Sequence, residues 1–600
     1  MSENFGGGRG GGRGGGRGHG GRGGGRGGGH GGGRGGGRGG GRGGRGGDHG
    51  GGRGVDRGGE RGGHGASGHV TASFSWQDLP PPKELQEKAA REIAMKSRTR
   101  VVKGPIFTPS QSDIHDLLAA IAKIERKEQT QVASQRLTPK DESHEPRSSP
   151  TRQHWRLSKV LDSLANLCVS ETNHEVIATA LRVDYKAESI ELIIASNDNV
   201  QNSTVAHLQE IWKTLQQVST LCHERHPLSP QEDTPPRTVE DPKVLKLSAK
   251  LIQLCLEFSF SRLQKRINKN FDRFSAIDVN NLDPEHPFQI VRKYVNVLEE
   301  AFTRDNGTKI GKPRHDDTKA WVRLWNCLKS TKRAIDTFLD DGGFRAEDVA
   351  VAETFLGYES YLRKVESLTN DIEVLVKLAH SPQCQHLFKF KFKVIPLRGQ
   401  VSKAISVPQT PKDWETVFEK ALLFRNKYKL EEGEDYVINA EKIEEDTAYM
   451  ARNAIKRDLV IHCEVRILLH IFKTENENPD IPKAYTYIGV SKLSCRGCSA
   501  FFEAFNREHE TRFVTKGSHS KSYWPWQFPP SFPESDKVCF RTYQFIAQRW
   551  VGSYDGYMVH RVPLAPDSDA QTSTSGSYIP DLSPDADADI NLVTKMMAEV

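Results

Sequence analysis

The sequence predicts an α/β fold carrying a largely helical block, with disordered tails at both ends. Three observations carry this: a strand pattern between two helical patterns from Ile461 to Asn506, a helical run from Val244 to Ala379, and glycine–arginine low complexity over residues 6–65. Six hundred residues exceed what one core usually fills, so more than one domain is expected.

Residues 1–69 form a tail of RGG and RGGG steps, a composition that cannot bury enough apolar surface to fold. Up to Gly65 it holds twelve arginines against four carboxylates, a charge of +8; the whole chain carries +7, so everything after the tail sums to −1. Basicity confined to a disordered arm is the electrostatic footprint of a non-specific binder of single-stranded nucleic acid, most often RNA. Arg9, Arg13, Arg17, Arg22, Arg26, Arg34, Arg38, Arg42, Arg45 and Arg53 are its candidate contacts. A solubilising, phase-separating or protein-assembly arm is the plainer reading of the same composition.

Residues 70–153 read as a partly helical linker. A polar helical run starts at Glu84, a second helix over Ser110 to Lys127 places Ile114, Leu117, Leu118, Ile121 and Ile124 on one side, and Thr138 to Thr151 is rich in Pro, Ser and charge. The folded body is expected from near His154. Residues 154–226 give a helix over Trp155 to Val169, a hairpin with arms Val176 to Tyr185 and Ile190 to Ile194, and a helix over Val205 to Leu221. Residues 227–430 open with a proline-rich loop and are then mainly helical, with segments Leu245 to Arg266, Pro287 to Phe302, Lys319 to Leu339, Tyr358 to Leu378 and Trp414 to Tyr428. Phe388, Phe390, Phe392 and Val394 interrupt them with the alternation of a half-buried strand.

Residues 431–562 hold the distinctive chemistry. Among 21 histidines only His462 has Glu two residues on, and 33 residues later comes Cys495-Arg496-Gly497-Cys498. One imidazole and two thiolates at i and i+3 suit a zinc with three protein ligands and one open position, leaving Glu464 as a carboxylate that is not needed as a ligand. After His462 the apolar Val465, Leu468, Leu469 and Phe472 fall on one helical stripe. His462 and Glu464 can share a site only in that helix's first turn. Ala484 to Val490 reads as a strand, and Ser494 as the N-cap of a helix carrying Cys495, Cys498, Phe501, Phe502 and Phe505. Two positive helix ends would then meet at the metal. Plainer readings exist for each part: a satisfied core histidine, an intracellular dithiol, or half of a structural zinc site using Cys463. Adjacent helical side chains point about 100° apart, so Cys463 reads better as a small core residue. Tyr523, Trp524 and Trp526 could stack a base or pin a loop, and His519 and Lys521 could reach a phosphate, with solvent exposure the plainer reading.

The H-x-E and C-x-x-C pair resembles the signature of zinc-dependent base deaminases. With Tyr487-Ile488-Gly489-Val490-Ser491-Lys492-Leu493-Ser494 and a looser phrase from Phe513 to His519, residues from about 173 to 530 resemble a fungal OTT-type deaminase-like family of the cytidine deaminase-like superfamily. The departure is Ser494 where the general signature has Pro. The resemblance implies a three-layer α/β/α domain with a large, mostly helical insertion, whose first two strands form a hairpin. Val176 to Ile194 is the candidate hairpin and Phe388 to Val394 the competing strand. It further implies zinc held by His462, Cys495 and Cys498, and Glu464 carrying a proton from the metal's water, itself acidified to a pKa of about 7, to the ring nitrogen of cytosine or adenine. The substrate class expected is RNA. A catalytically inert RNA-binding scaffold and a nucleoside-salvage enzyme are the alternatives. Protein partners are not indicated.

The remaining cysteines show no framework spacing, and an odd total of nine with no signal peptide argues for reduced, intracellular thiols, nuclear or cytoplasmic. No apolar run is long enough for a membrane span. Residues 563–600, rich in Asp, Ser and Pro, read as a disordered acidic tail.

Overall fold

The computed structural model describes residues 99–100, 107–127, 135–136, 150–170, 175–224, 241–277, 283–302, 311–340, 349–399, 407–428, 438–453, 458–519 and 521–559. All lie in one compact unit beginning at Pro81. The RGG arginines, the run from Glu84 and the acidic tail lie outside the described residues.

A mixed four-stranded sheet stands at the centre. Strands β1 (Ile177–Asp184) and β2 (Ser189–Ser196) form the expected hairpin, in register from Ile177 opposite Ser196 to Asp184 opposite Ser189. Asp184 Oδ1 accepts from the amides of Lys186 and Ala187, both at 2.9 Å, and so closes the turn. Strand β3 (Lys391–Pro396) adds parallel to β2 at one edge, and β4 (Gly489–Val490) adds antiparallel to β1 at the other. Both candidate strand segments therefore belong to this sheet, but β1 of the hairpin is the one bonded to the stretch that leads into Cys495.

Two strands differ from what alternation predicts. Pro382–Lys389 winds as a 3-10 helix, so Phe388 packs against Trp212, 5.1 Å between ring centroids, instead of joining the ladder. The segment from Ala484 to Val490 bonds β1 only near its ends, through Tyr485 N to Leu181 O at 2.9 Å and the two-residue ladder of β4. Its middle turns the other way: Ile488 N donates to Val514 O and Val514 N to Thr486 O. Thr179 to Arg182 on β1 spans the same length as Ala484 to Gly489, and the surplus bulges toward Val514.

The helices, in chain order, are α1 (Gln111–Lys127), α2 (Pro150–Leu167), α3 (Asn202–Glu224), α4 (Pro242–Asn268), α5 (Phe271–Ser275), α6 (Pro287–Glu300), α7 (Thr318–Asp340), α8 (Val349–His380), α9 (Pro411–Lys427), α10 (Ala440–Arg452), α11 (Cys463–Glu477), α12 (Arg496–His509) and α13 (Ser535–Val559). Three of them start with Pro behind a side-chain cap, from Asp241, His286 and Thr410, because Pro has no N–H to leave orphaned there. Helix α2 begins at Pro150, before the expected Trp155, and α10 and α13 form where no element is expected from sequence.

Side chains alternate across the sheet, so it feeds two cores. Ile177, Leu192 and Ile194 enter one with residues of α2 to α8; Ala178, Ala180, Ile193 and Ala195 enter the other with residues of α1 and α9 to α13. The three alanines let α11 lie close against β1 and β2. Helix α1, in the stretch read as linker, is part of this second core, with Ile114, Leu117, Leu118, Ile121 and Ile124 all fully buried. Its apolar stripe is stable because it packs, since a 17-residue helix alone in water is marginal.

Helix α2 clamps β4. A Cβ at Gly489 would lie 2.4 Å from the Leu161 carbonyl carbon, and next to it Asp162 accepts from Val490 N at 2.9 Å and from Tyr487 Oη at 2.7 Å. Gly489→Ala is therefore expected to destabilise the chain by about 3 kcal/mol in urea unfolding, the upper range for overpacking.

Two buried histidines give a pH dependence. His115 Nε2 accepts from Phe528 N at 3.0 Å, and burial pulls the pKa of His115 and of His207 down to about 4. The unfolded chain binds these protons near 6.5, so stability present above pH 6.5 is lost as pH falls toward 4, by up to about 3 kcal/mol per histidine. Urea midpoints at pH 7.5 and 5 measure the drop, and His115→Gln should shrink it.

Candidate metal centre

The site is built on the first residues of α11 and α12. His462 is the N-cap of α11, extended at ψ 150°, with its carbonyl accepting from Arg466 N at 3.1 Å. The chain enters zipped to another segment, Val460 N donating to Pro525 O and Gln527 N to Val460 O. The next amide, Cys463 N, donates to Asn197 Oδ1 at 3.1 Å, just beyond β2. Asn197 thus serves as an external cap for α11. Glu464 stands in the first turn and is buried at 4% exposure.

Helix α12 starts one residue later than expected. Its N-cap is Cys495, whose Sγ accepts from Cys498 N at 3.5 Å. Ser494 is taken up in backbone pairing with Gly517 and in a hydroxyl contact with Thr515 Oγ1 at 3.0 Å, so it does not cap. The sulfur thus both caps the helix and faces His462.

The three donor atoms form a small triangle. His462 Nδ1 lies 3.6 Å from Cys495 Sγ and 3.4 Å from Cys498 Sγ, and the sulfurs are 3.5 Å apart. A tetrahedral zinc with Zn–S of about 2.3 Å and Zn–N of about 2.0 Å would set edges of about 3.5–3.8 Å, so the residues fit a three-ligand zinc face with the fourth position open. Among the described residues this is the group of three or more His, Cys or carboxylate donors that could hold a metal ion. Cys463 is not in it. It is fully buried in the second core, and its thiol donates to Glu464 Oε2 at 3.4 Å, which orients that carboxylate.

The electrostatics favour one thiolate even before a metal binds. Burial raises the Cys495 thiol, but the hydrogen bond from Cys498 and the charge and hydrogen bond of His462 outweigh it and bring its pKa to about 5. Cys498 is held well above the ordinary thiol value by burial and by the neighbouring thiolate. A metal at this place would deprotonate both.

Trp526 completes the support. Its Nε1–H donates to Cys498 Sγ at 3.2 Å, and the indole lies so close to the C-x-x-C turn that a Cβ at Gly497 would meet Cδ2 at 2.8 Å. Of the two roles expected for Trp526, stacking a base or pinning a loop, a fully buried indole bonded to the Cys498 sulfur fits the second. Trp524 is likewise buried, while Tyr523 is exposed at 46%. The exposure expected of His519 is not found: it is 3% accessible, with Nδ1 accepting from Lys521 N at 3.0 Å. Arg496 points away from the triangle, pairing with Glu125 of α1 at 3.2 Å, and Glu125 also holds Ser522 N at 2.8 Å. The sequence contained no local sign of that pairing, which joins residues 371 positions apart.

Trp526→Phe keeps most of the packing and removes the donor to Cys498. Zinc affinity, measured by competition with a chromogenic chelator, should fall about 10–100-fold, the usual cost of losing a partner of a ligand. Cys463→Ala should leave affinity within a few-fold.

Residues 461–530 match the sequence model of the OTT_1508-like deaminase family. No curated protein and no solved structure matches the chain. The matched span holds His462, Glu464, Cys495, Cys498 and Trp526, that is, the donor triangle with its carboxylate and its indole support. By these residues, the 461–530 segment of the chain is similar to the OTT_1508-like deaminase family.

Proposed function

We propose that the chain is a zinc-dependent hydrolytic deaminase that acts on cytosine or adenine, with RNA as the substrate polymer. The observation that carries the reading is a buried carboxylate, Glu464, set in the first turn of α11 behind His462, one corner of a donor triangle of zinc dimensions. A structural zinc site would supply a fourth protein ligand and needs no such carboxylate.

In this reading His462 Nδ1, Cys495 Sγ and Cys498 Sγ hold the metal, which when bound supplies a water acidic enough to act near neutral pH. Glu464, oriented through Oε2 by the Cys463 thiol, would take a proton from the water and pass it to the ring nitrogen, the water oxygen would bond to the amino-bearing carbon, and the C–N bond would break with the second proton leaving on ammonia. The two helix ends at His462 and Cys495 bias the site toward negative charge, which favours the thiolates and the developing charge on the water oxygen. The sheet with helices on both faces is consistent with the three-layer domain that the family resemblance implies, and the α4–α8 block with a long insertion into it. RNA as substrate is supported by the twelve tail arginines in RGG steps.

Metal content and ammonia release, measured together on the wild type and on Glu464→Gln with cellular RNA, test the reading. One zinc per chain in both and ammonia from the wild type alone is expected, with turnover in the variant down at least about 10²-fold. Zinc in both and ammonia in neither would favour an RNA-binding scaffold with an inert site, and absence of zinc would sink the assignment. Deleting residues 1–69 should weaken RNA binding and flatten its salt dependence, as removal of an electrostatic arm requires.

A further inference from the structure

Both helix starts that carry the donor triangle are bonded to one stretch of chain, Lys521 to Phe528. Arg496 N donates to Lys521 O at 3.0 Å, and the Trp526 indole donates to Cys498 Sγ at 3.2 Å. On the side of His462, Val460 N donates to Pro525 O at 3.3 Å and Gln527 N to Val460 O at 2.9 Å.

Helix α1 holds this stretch near both ends. Glu125 Oε2 accepts from Ser522 N at 2.8 Å, and His115 Nε2 accepts from Phe528 N at 3.0 Å. The two side chains are ten residues apart in sequence, about 15 Å along the helix axis. The other oxygen of Glu125 reaches the C-x-x-C turn: Oε1 accepts from Arg496 Nη2 at 3.2 Å, while Arg496 Nε donates to Ser522 Oγ at 3.2 Å. Arg496, directly after Cys495, has a side chain only 3% exposed, and that of Glu125 is 9% exposed.

The plainer account is a buried ion pair that only helps α1 to pack. Two observations count against it. Taking a carboxylate and a guanidinium out of water costs about as much as their attraction returns, so such a pair adds little stability over apolar side chains of the same volume. What it adds is direction, because the guanidinium is a rigid fork and both its arms are set here, Nη2 on the carboxylate and Nε on the Ser522 hydroxyl. Helix α1 is also fastened at its opposite end by a second ion pair, Asp113 with Lys420 of α9 at 2.6 Å, so holding the helix in place does not require Glu125.

We propose that Glu125 is a positioning residue of the metal centre, fixing the C-x-x-C turn through Arg496 and Ser522 against the stretch that carries Trp526. It does so from outside the 461–530 segment, 371 positions from Arg496. The inference rests on the donor triangle holding a metal, and not on the reaction or its substrate.

The test is the zinc affinity of the full-length protein, by competition with a chromogenic chelator, together with the visible absorption of the cobalt-loaded form, whose bands follow the geometry of the two thiolates. E125Q keeps the volume and removes the charge; it should weaken zinc about tenfold, as loss of an outer partner of metal ligands does, and shift the cobalt bands. S522A, which removes the hydroxyl that receives Arg496 Nε, should weaken zinc several-fold. Added to R496Q, E125Q should cost far less than it does alone, because the two residues act as one unit. D113N loosens the same helix at its other end and should leave zinc affinity within about twofold. Unchanged affinity and bands in folded E125Q, or in S522A if E125Q does not fold, would overturn the proposal, as would an equal loss in D113N. A wild-type protein that binds no zinc would overturn it together with the metal centre.

Discussion

Two helices can present their first residues to one point only if the chain between them is held on both edges, and the stretch from Ala484 to Ser494 is held in that way. β1 bonds it at Tyr485, Gly489, Val490 and Ser491; Val514, Gly517 and Ser518 bond it on the opposite side. Helix α2 presses on it at Gly489, where no side chain fits, and binds it through Asp162. The bulge between residues 484 and 489 is how one segment serves both neighbours.

The electrostatic cost of the site is met by the same framework. A buried imidazole, two thiols and a carboxylate within one small volume would be unfavourable without compensation. Helix N-termini and the Trp526 N–H place donors toward this region, while Asn197 Oδ1 accepts the Cys463 N–H. Arginines that could compete for the carboxylate are drawn off elsewhere: Arg496 to Glu125, and Arg466 to the carbonyls of Arg398 and Asp198. Arg466 still stands close enough to Glu464 to interact with it, so the carboxylate is balanced without being tied up.

The sheet separates two cores with different work. Its alanine-rich face accepts α11 closely and so fixes His462 and Glu464, while its larger aliphatic face carries α2 and the α3–α8 block. That block touches the metal-bearing segment indirectly, through α2 on β4.

The motif chemistry was legible in the chain: H-x-E and C-x-x-C state donor type and local spacing, and the apolar stripe after His462 states the helix that carries them. The hairpin was legible too, since alternation and a turn are local. What local pattern misjudged were places where a tertiary partner competes for the same residue. Phe388 left its strand for Trp212, Ser494 gave up capping to pair with residues 515–518, and α1 proved to be core because its stripe has α9 and α13 to pack on. The sequence by itself determined which atoms can bind a metal and which carboxylate accompanies them. Only the tertiary structure decided that those atoms meet at 3.4–3.6 Å, with Trp526 behind one sulfur and Asn197 behind the helix. The reason is that these contacts join residues 28 to 266 positions apart, where spacing along the chain carries no information about distance.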